Sequence, residues 1–339
     1  MLLHAELFDI LQIYYALLPS NYLPASVNVS FTCLQNFLLD HILWSKHASS
    51  YPPSKMYQAS FWKWSVSVLE NMLHENINTT ADDEIDEHIY LKYSEILLSN
   101  KTSTTFAKGP PEPCFVSYFY RSVGQDVDSQ DHNPSYVNLD TLRIVTILES
   151  QSMIEAGTTG LRTWPASIAL ARYLLGNPEL VHAQRVLELG SGVGFLGCIV
   201  GSIQTSRSIT NVEKQCSLCL TDVNDTVLER CQTNVQLPCN NLQSHPELTC
   251  RKFDWSDTLA GDFKEWATSF HNVTQSTDIV IGADLVYDPS LIDPLLATLK
   301  IALENQQRIS SKGALIALTL RNRSTMAEFC ASAGKLLPE

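Results

Sequence analysis

Positive charge is what this sequence is short of. Lys and Arg number 23 against 36 Asp and Glu, a net charge of −13. A nucleic-acid-binding face needs a basic stripe to offset phosphate, and this balance argues against one. Long apolar runs are missing too, and no stretch approaches the ~20 residues of a membrane span. The segment Met1 to Leu18 lacks a basic start. Glu6, Asp9 and Gln12 interrupt its apolar positions at helical spacing, so it reads as an amphipathic helix rather than a secretory leader. With no leader expected, the Asn-x-Ser/Thr sequences at Asn28, Asn78, Asn100, Asn224, Asn272 and Asn322 are read as chance occurrences. Cysteine pairs at zinc spacing are also absent. Of nine cysteines, Cys216 and Cys219 form the one C-x-x-C, inside an expected buried strand. Reduced core thiols in a cytoplasmic protein are the expectation, with no metal site.

What remains is ordinary globular material: 339 residues, 45% of them apolar, enough for two domains or one large one. Residues 1–105 read as a helical domain. Apolar residues recur at helical intervals from Phe31 to Trp44. Tyr51-Pro52-Pro53 breaks that pattern, and Ser54 is placed to cap a helix running through Phe61, Trp62 and Leu69. A further helix covers Ile89 to Leu98, and Asn100 to Cys114 has linker composition. The second domain, 114–339, opens with an entry segment at 114–156. There Phe115–Tyr120 and Leu142–Leu148 read as strands, with a loop at Asp126–Asn133 between them.

From residue 157 strands and helices alternate, which implies a parallel, doubly wound sheet with its ligand site at the C-terminal strand ends. The centre of this region is Val186-Leu187-Glu188-Leu189-Gly190-Ser191-Gly192-Val193-Gly194-Phe195-Leu196-Gly197. A buried strand stops at closely spaced glycines and a helix follows, as in a loop that brings main-chain N–H groups to a nucleotide cofactor. Gly192, Gly194 and Gly197 satisfy the dinucleotide pattern G-x-G-x-x-G, which expects an acid about 20 residues on. Glu213 lies near that distance in a polar segment. Asp222, at the end of the expected strand Cys216–Thr221, is better placed for a ribose diol. The acid at Glu188, two residues before the first glycine, favours a different cofactor, while a nicotinamide dehydrogenase stays open on the pattern alone. Further strands are expected at Thr249–Phe253, ending in Asp254-Trp255, at Asp278–Asp284, and at Ala314–Leu320. Helices are expected at Ser167–Leu175, Val227–Val235, Leu291–Leu303 and Ser324–Leu337. Trp164, between Gly157-Thr158-Thr159-Gly160 and Pro165, reads equally as a lid over a ligand or as a core plug.

Glu188-Leu189-Gly190-Ser191-Gly192-Val193-Gly194 resembles the first motif of class I S-adenosylmethionine-dependent methyltransferases. With Gly157-Thr158-Thr159-Gly160-Leu161, Trp164, Asp254-Trp255 and Ala283-Asp284-Leu285-Val286-Tyr287, the chain resembles the seven-β-strand protein-lysine methyltransferases that carry a D-x-x-Y signature. Pro52-Pro53-Ser54 with Tyr57 and Phe61, together with the Gly157-Thr158-Thr159-Gly160 junction, makes it similar to those acting on elongation factor 2. The resemblance implies a class I methyltransferase (Rossmann-like) α/β fold behind an N-terminal helical domain, with S-adenosylmethionine as cofactor. It implies a lysine of translation elongation factor 2, a protein partner, as substrate. Trp164, Glu188, Gly190, Ser191, Gly192, Trp255 and Ala283 would bind the cofactor, Asp222 would hold its ribose, and Asp284 and Tyr287 would face the lysine. Asp284 reads alternatively as a helix cap and Tyr287 as a packing residue. The resemblance also implies two further C-terminal strands that are missing here, so a shortened, cofactor-binding chain of impaired turnover is the alternative expectation.

Overall fold

The computed structural model describes residues 1–103, 111–122, 135–206, 216–259, 277–303 and 313–336. The expected hairpin loop Asp126–Asn133, Glu213 and residues 104–110 of the linker lie outside them. By its internal contacts the chain divides into two compact units, Met1–Arg121 with Asp126–Ser152, and Ser122–Gln125 with Met153–Glu339.

The first unit comprises β1 (Leu2–His4), α1 (Ala5–Tyr15), α2 (Phe31–Phe37), α3 (Lys46–Ser50), α4 (Lys55–His74), α5 (Glu87–Ser103), β2 (Cys114–Arg121), β3 (Tyr136–Asn138) and β4 (Leu142–Glu149). Its core is aromatic and aliphatic: Phe31, Phe61, Trp62, Leu7, Ile10, Leu34 and Leu69 are almost fully buried. Ser54 caps α4 as its sequence position suggests, its Oγ accepting from the Tyr57 N–H at 3.3 Å. The periodic run from Phe31 does not stay a uniform helix. After Phe37 it widens into a π-helical segment, Leu38–Leu43. The first residues also differ from expectation: Leu2–His4 leave the helix and pair antiparallel with Tyr136–Asn138. β2 and β4 form the expected antiparallel pair, Cys114 opposite Glu149 through Arg121 opposite Leu142. The sequence reading assigns these strands to the second domain, whereas their contacts group them with the helices. The reason is a stack of rings. Phe119 of β2 meets Phe8 and Tyr15 of α1 edge-on at 5.5 and 5.7 Å.

The second unit contains α6 (Pro165–Gly176), β5 (Arg185–Leu189), α7 (Phe195–Gln204), β6 (Ser217–Asp222), α8 (Asp225–Gln236), β7 (Leu248–Lys252), β8 (Ile279–Ala283), α9 (Ile292–Leu303), β9 (Gly313–Ala317) and α10 (Arg323–Leu336). The five strands form one parallel sheet in the order β7-β6-β5-β8-β9. Side chains alternate between its two faces, so both faces need cover. Leu187, Leu189, Cys219 and Val280 form one cluster with Leu295, Leu296 and Leu299 of α9 and Phe329 of α10. On the opposite face α7 lies so close to β6 that a Cβ on Gly197 would meet the Leu220 side chain at 2.6 Å. The two neighbours of β5 are reached by crossovers running in opposite directions, and the crevice this opens lies at the C-terminal end of β5. No helix among the described residues is long and apolar enough to cross a membrane.

Candidate active site

Between β5 and α7 the backbone takes the left-handed conformation three times, at Gly190 (φ 59°), Gly192 (φ 53°) and Gly194 (φ 86°). An L side chain is strained there, which explains the glycines. Ser191 between them faces inward and braces the loop. Its N–H donates to the Thr221 carbonyl at 2.8 Å, and its Oγ accepts the Thr221 N–H at 2.9 Å. Asp222, the last residue of β6, then accepts the Gly192 N–H at 3.2 Å and the Asn224 N–H at 3.1 Å. Burial raises its carboxyl above the ordinary carboxylate range, and the hydrogen bonds from Asn224 and Gly192 oppose that rise. Asn224 caps α8 through the Val227 N–H, so strand end, carboxylate and next helix are fixed together.

The other strand ends complete a cavity of about 180 Å³. Just beyond β7 come Phe253, Asp254 and Trp255, with Asp254 capping the short helical turn that starts at Trp255. β8 contributes Ala283 and, just beyond it, Asp284, Leu285 and Tyr287. Trp164 stands before α6, its indole N–H donating to the Thr159 carbonyl at 3.0 Å. Of the residues singled out from the sequence, Trp164, Gly190, Gly192, Asp222, Trp255, Ala283, Asp284 and Tyr287 all line this one cavity. Glu188 and Ser191 do not. Glu188 is 2% exposed, with its Oε2 at 3.1 Å from where a Cβ on Gly197 would stand. That oxygen has no hydrogen-bond partner. Burial, with the nearby Cys250 and Asp222 adding to it, raises its carboxyl well above the usual range. Strand alternation accounts for this: Leu187 and Leu189 take the α9 face, so Glu188 points beneath α7.

Asp284 is not a helix cap. Its φ is 55°, and its N–H donates to the Ala317 carbonyl at 2.8 Å. Its Oδ1 accepts the Thr319 N–H at 2.8 Å and its Oδ2 the Thr319 hydroxyl at 3.0 Å, so the side chain ties β8 to the exit of β9. Arg321, which the sequence reading passes over, pairs with the same Oδ2 at 3.1 Å and stacks 4.5 Å above the Trp164 ring. Tyr287 is 56% exposed at the rim, and partial burial, together with Asp222 and Asp288, raises its phenol.

The wall therefore carries three carboxylates, several aromatic rings, glycine main chain and a single cation, Arg321, among the described residues. A family model described as lysine methyltransferase matches residues 145–331. The chain belongs to the lysine methyltransferase family. Within it, the chain is 34% identical over 232 residues to protein-lysine N-methyltransferase EFM3 of Chaetomium thermophilum, covering 68% of this chain and 59% of that one. It is 28% identical over 245 residues to protein-lysine N-methyltransferase EEF2KMT of Mus musculus (69% and 66%). It is 30% identical over 191 residues to the Homo sapiens protein of the same name (56% and 54%). The chain thus spans between about half and two thirds of the length of these lysine methyltransferases. The family implies S-adenosylmethionine as methyl donor, and the cavity suits such a group. Its excess of carboxylates favours a sulfonium cation, and aromatic rings offer faces to a purine. Gly190 and Gly192 line the cavity beside Asp222.

Proposed function

We propose that the parallel-sheet unit has the class I methyltransferase fold, binds S-adenosylmethionine, and transfers its methyl group to a lysine of translation elongation factor 2. The observation that carries this reading is the convergence of four strand ends on one cavity, with eight of the ten residues chosen from sequence on its wall. The names of the relatives support the choice of a protein lysine, and the likeness carried by Pro52-Pro53-Ser54, Tyr57, Phe61 and the Gly157–Gly160 junction supports the factor. A translation factor as substrate goes with a cytoplasmic location.

In this reading Asp222 would accept hydrogen bonds from the ribose hydroxyls, a demand that a half-buried carboxylate beside the Gly192 N–H meets well. Trp164 and Trp255 would offer their rings to the nucleoside, and the Gly190 and Gly192 main chain would face the donor. S-adenosylmethionine supplies the electrophilic methyl. The residues of the chain align the acceptor, exclude water and set the charge around it. Tyr287, at the rim, forms part of the acceptor's channel wall. Asp284 is fully engaged by Thr319 and Arg321, so it orients and balances charge at the acceptor end and is not a free base.

The test is incubation of the purified chain with methyl-labelled S-adenosylmethionine and purified elongation factor 2, followed by mapping of the label. Label on one lysine of the factor supports the reading. Label only on other proteins would show that the substrate is wrong, and label on none would show that the activity is wrong.

A further inference from the structure

Arg321 is a charge in an unexpected place. A site that takes a lysine has no evident need of a cation, and this one lines the cavity beside Asp284. Its guanidinium is held from two sides, by the Asp284 carboxylate at 3.1 Å and by the Trp164 ring at 4.5 Å. Asp284 is in turn held by the Thr319 N–H and hydroxyl, and its side chain is only 7% exposed. Three segments meet in this contact: the loop before α6, the exit of β8 and the exit of β9.

The chemistry supplies the need, if the site methylates lysine as proposed above. The attacking nitrogen must carry a free electron pair, yet a lysine enters from water as an ammonium. A lone carboxylate beside it would keep the proton on. The ionisable groups on the wall are Asp222, Asp254, Asp284, Tyr287 and Arg321, with Asp288 beside Tyr287. Without Arg321 they would sum to a wall of carboxylates that favours the ammonium. A guanidinium stays charged at any working pH. It cancels the field of Asp284 and repels a second cation at close range.

We infer that Arg321 is the positioning residue that makes this carboxylate-rich cavity accept lysine in its neutral form, by pairing with Asp284 and holding Trp164 across the rim. The proton lost by the lysine leaves to solvent before attack. The nitrogen pair then forms the new C–N bond as the methyl–sulfur bond breaks and the electrons return to sulfur.

The experiment is the pH dependence of single-turnover methylation of elongation factor 2 by the full chain, comparing wild type with Arg321→Gln and Arg321→Lys. The rising limb reports deprotonation of the bound lysine. Arg321→Gln is expected to move its midpoint up by about one unit or more while approaching the wild-type plateau at high pH. Arg321→Lys, which keeps the charge, is expected to restore most of the midpoint. Arg321→Met keeps an apolar stem over Trp164 and serves as the second neutral variant should Arg321→Gln not fold. An independent reading without turnover is proton release when the factor binds, measured calorimetrically in buffers of different ionisation enthalpy. Wild type should release more protons than the neutral variants. A uniform loss of rate at every pH with an unmoved midpoint, or equal proton release, would overturn the inference and leave the methyltransferase reading standing. No labelling by the wild-type chain would overturn both.

Discussion

Replacing Gly192 by alanine strains the loop in two ways that can be worked from distances. At φ 53° the residue is left-handed, where an L side chain is about 1–2 kcal/mol worse than glycine. The new Cβ would also lie 3.1 Å from the Gly160 carbonyl oxygen. That neighbour is backbone and cannot rotate away, so a further ~1–2 kcal/mol of overpacking is expected. Together these give about 2–4 kcal/mol, or a fall of about 5–15 °C in the melting temperature of the unit. The same shift pulls the Gly192 N–H from Asp222, to which it donates at 3.2 Å, so affinity for S-adenosylmethionine should fall as well. Gly176→Ala is the control. Its Cβ would meet nothing within 4 Å, at the end of a helix, and its effect should be neutral or slightly stabilising. The assays are thermal denaturation and calorimetric titration of the cofactor. If Gly192→Ala melts with Gly176→Ala and binds the cofactor equally, the loop does not have the role assigned to it.

Asp222→Ala removes the proposed ribose acceptor. Two charge-assisted hydrogen bonds at about 1.5–3 kcal/mol each predict a loss of roughly 10²–10⁴ in cofactor affinity, read by titration. Glu188→Gln should stabilise the fold at neutral pH. The folded carboxyl is raised above its unfolded value, so wild-type stability is full below the unfolded pKa and declines as pH rises toward the folded one. The advantage of the variant should therefore vanish on acidification toward the ordinary carboxylate range, as urea unfolding at several pH values would show. His47, with Ser117 Oγ and Thr146 Oγ1 each 3.2 Å from its Nε2, is lowered by burial from 6.5 to about 4. The first unit should therefore lose stability as pH falls from about 6.5 toward 4. His47→Gln should flatten that part of the profile in the same unfolding assay.

The elements that follow a period were legible in the sequence. The five parallel strands, the helices between them and the glycine loop all carry local signals: apolar runs ended by acids, a cap at Ser54, glycines where the backbone turns left-handed. The lining role of Asp222 followed from its position at a strand end. What local pattern could not show depends on distant partners. Leu2–His4 leave the N-terminal helix for strand pairing because Tyr136–Asn138 offers hydrogen bonds. Glu188 carries a motif's acid, yet strand alternation turns it under α7. Arg321 lies in a polar stretch with no motif, and only folding brings it to Asp284, 37 residues earlier in the chain, and to Trp164. A cation following a strand end in a doubly wound sheet is the one signal that could have marked it.

The proposed activity requires that the cavity at the C-terminal end of β5 take a sulfonium nucleoside. The most direct measurement is calorimetric titration of the wild-type chain with S-adenosylmethionine and, in parallel, with NAD. One saturable site for S-adenosylmethionine, weakened in Asp222→Ala, with no heat from NAD, is the result predicted here. Binding of NAD at that site, or S-adenosylmethionine binding that ignores Asp222, would contradict it.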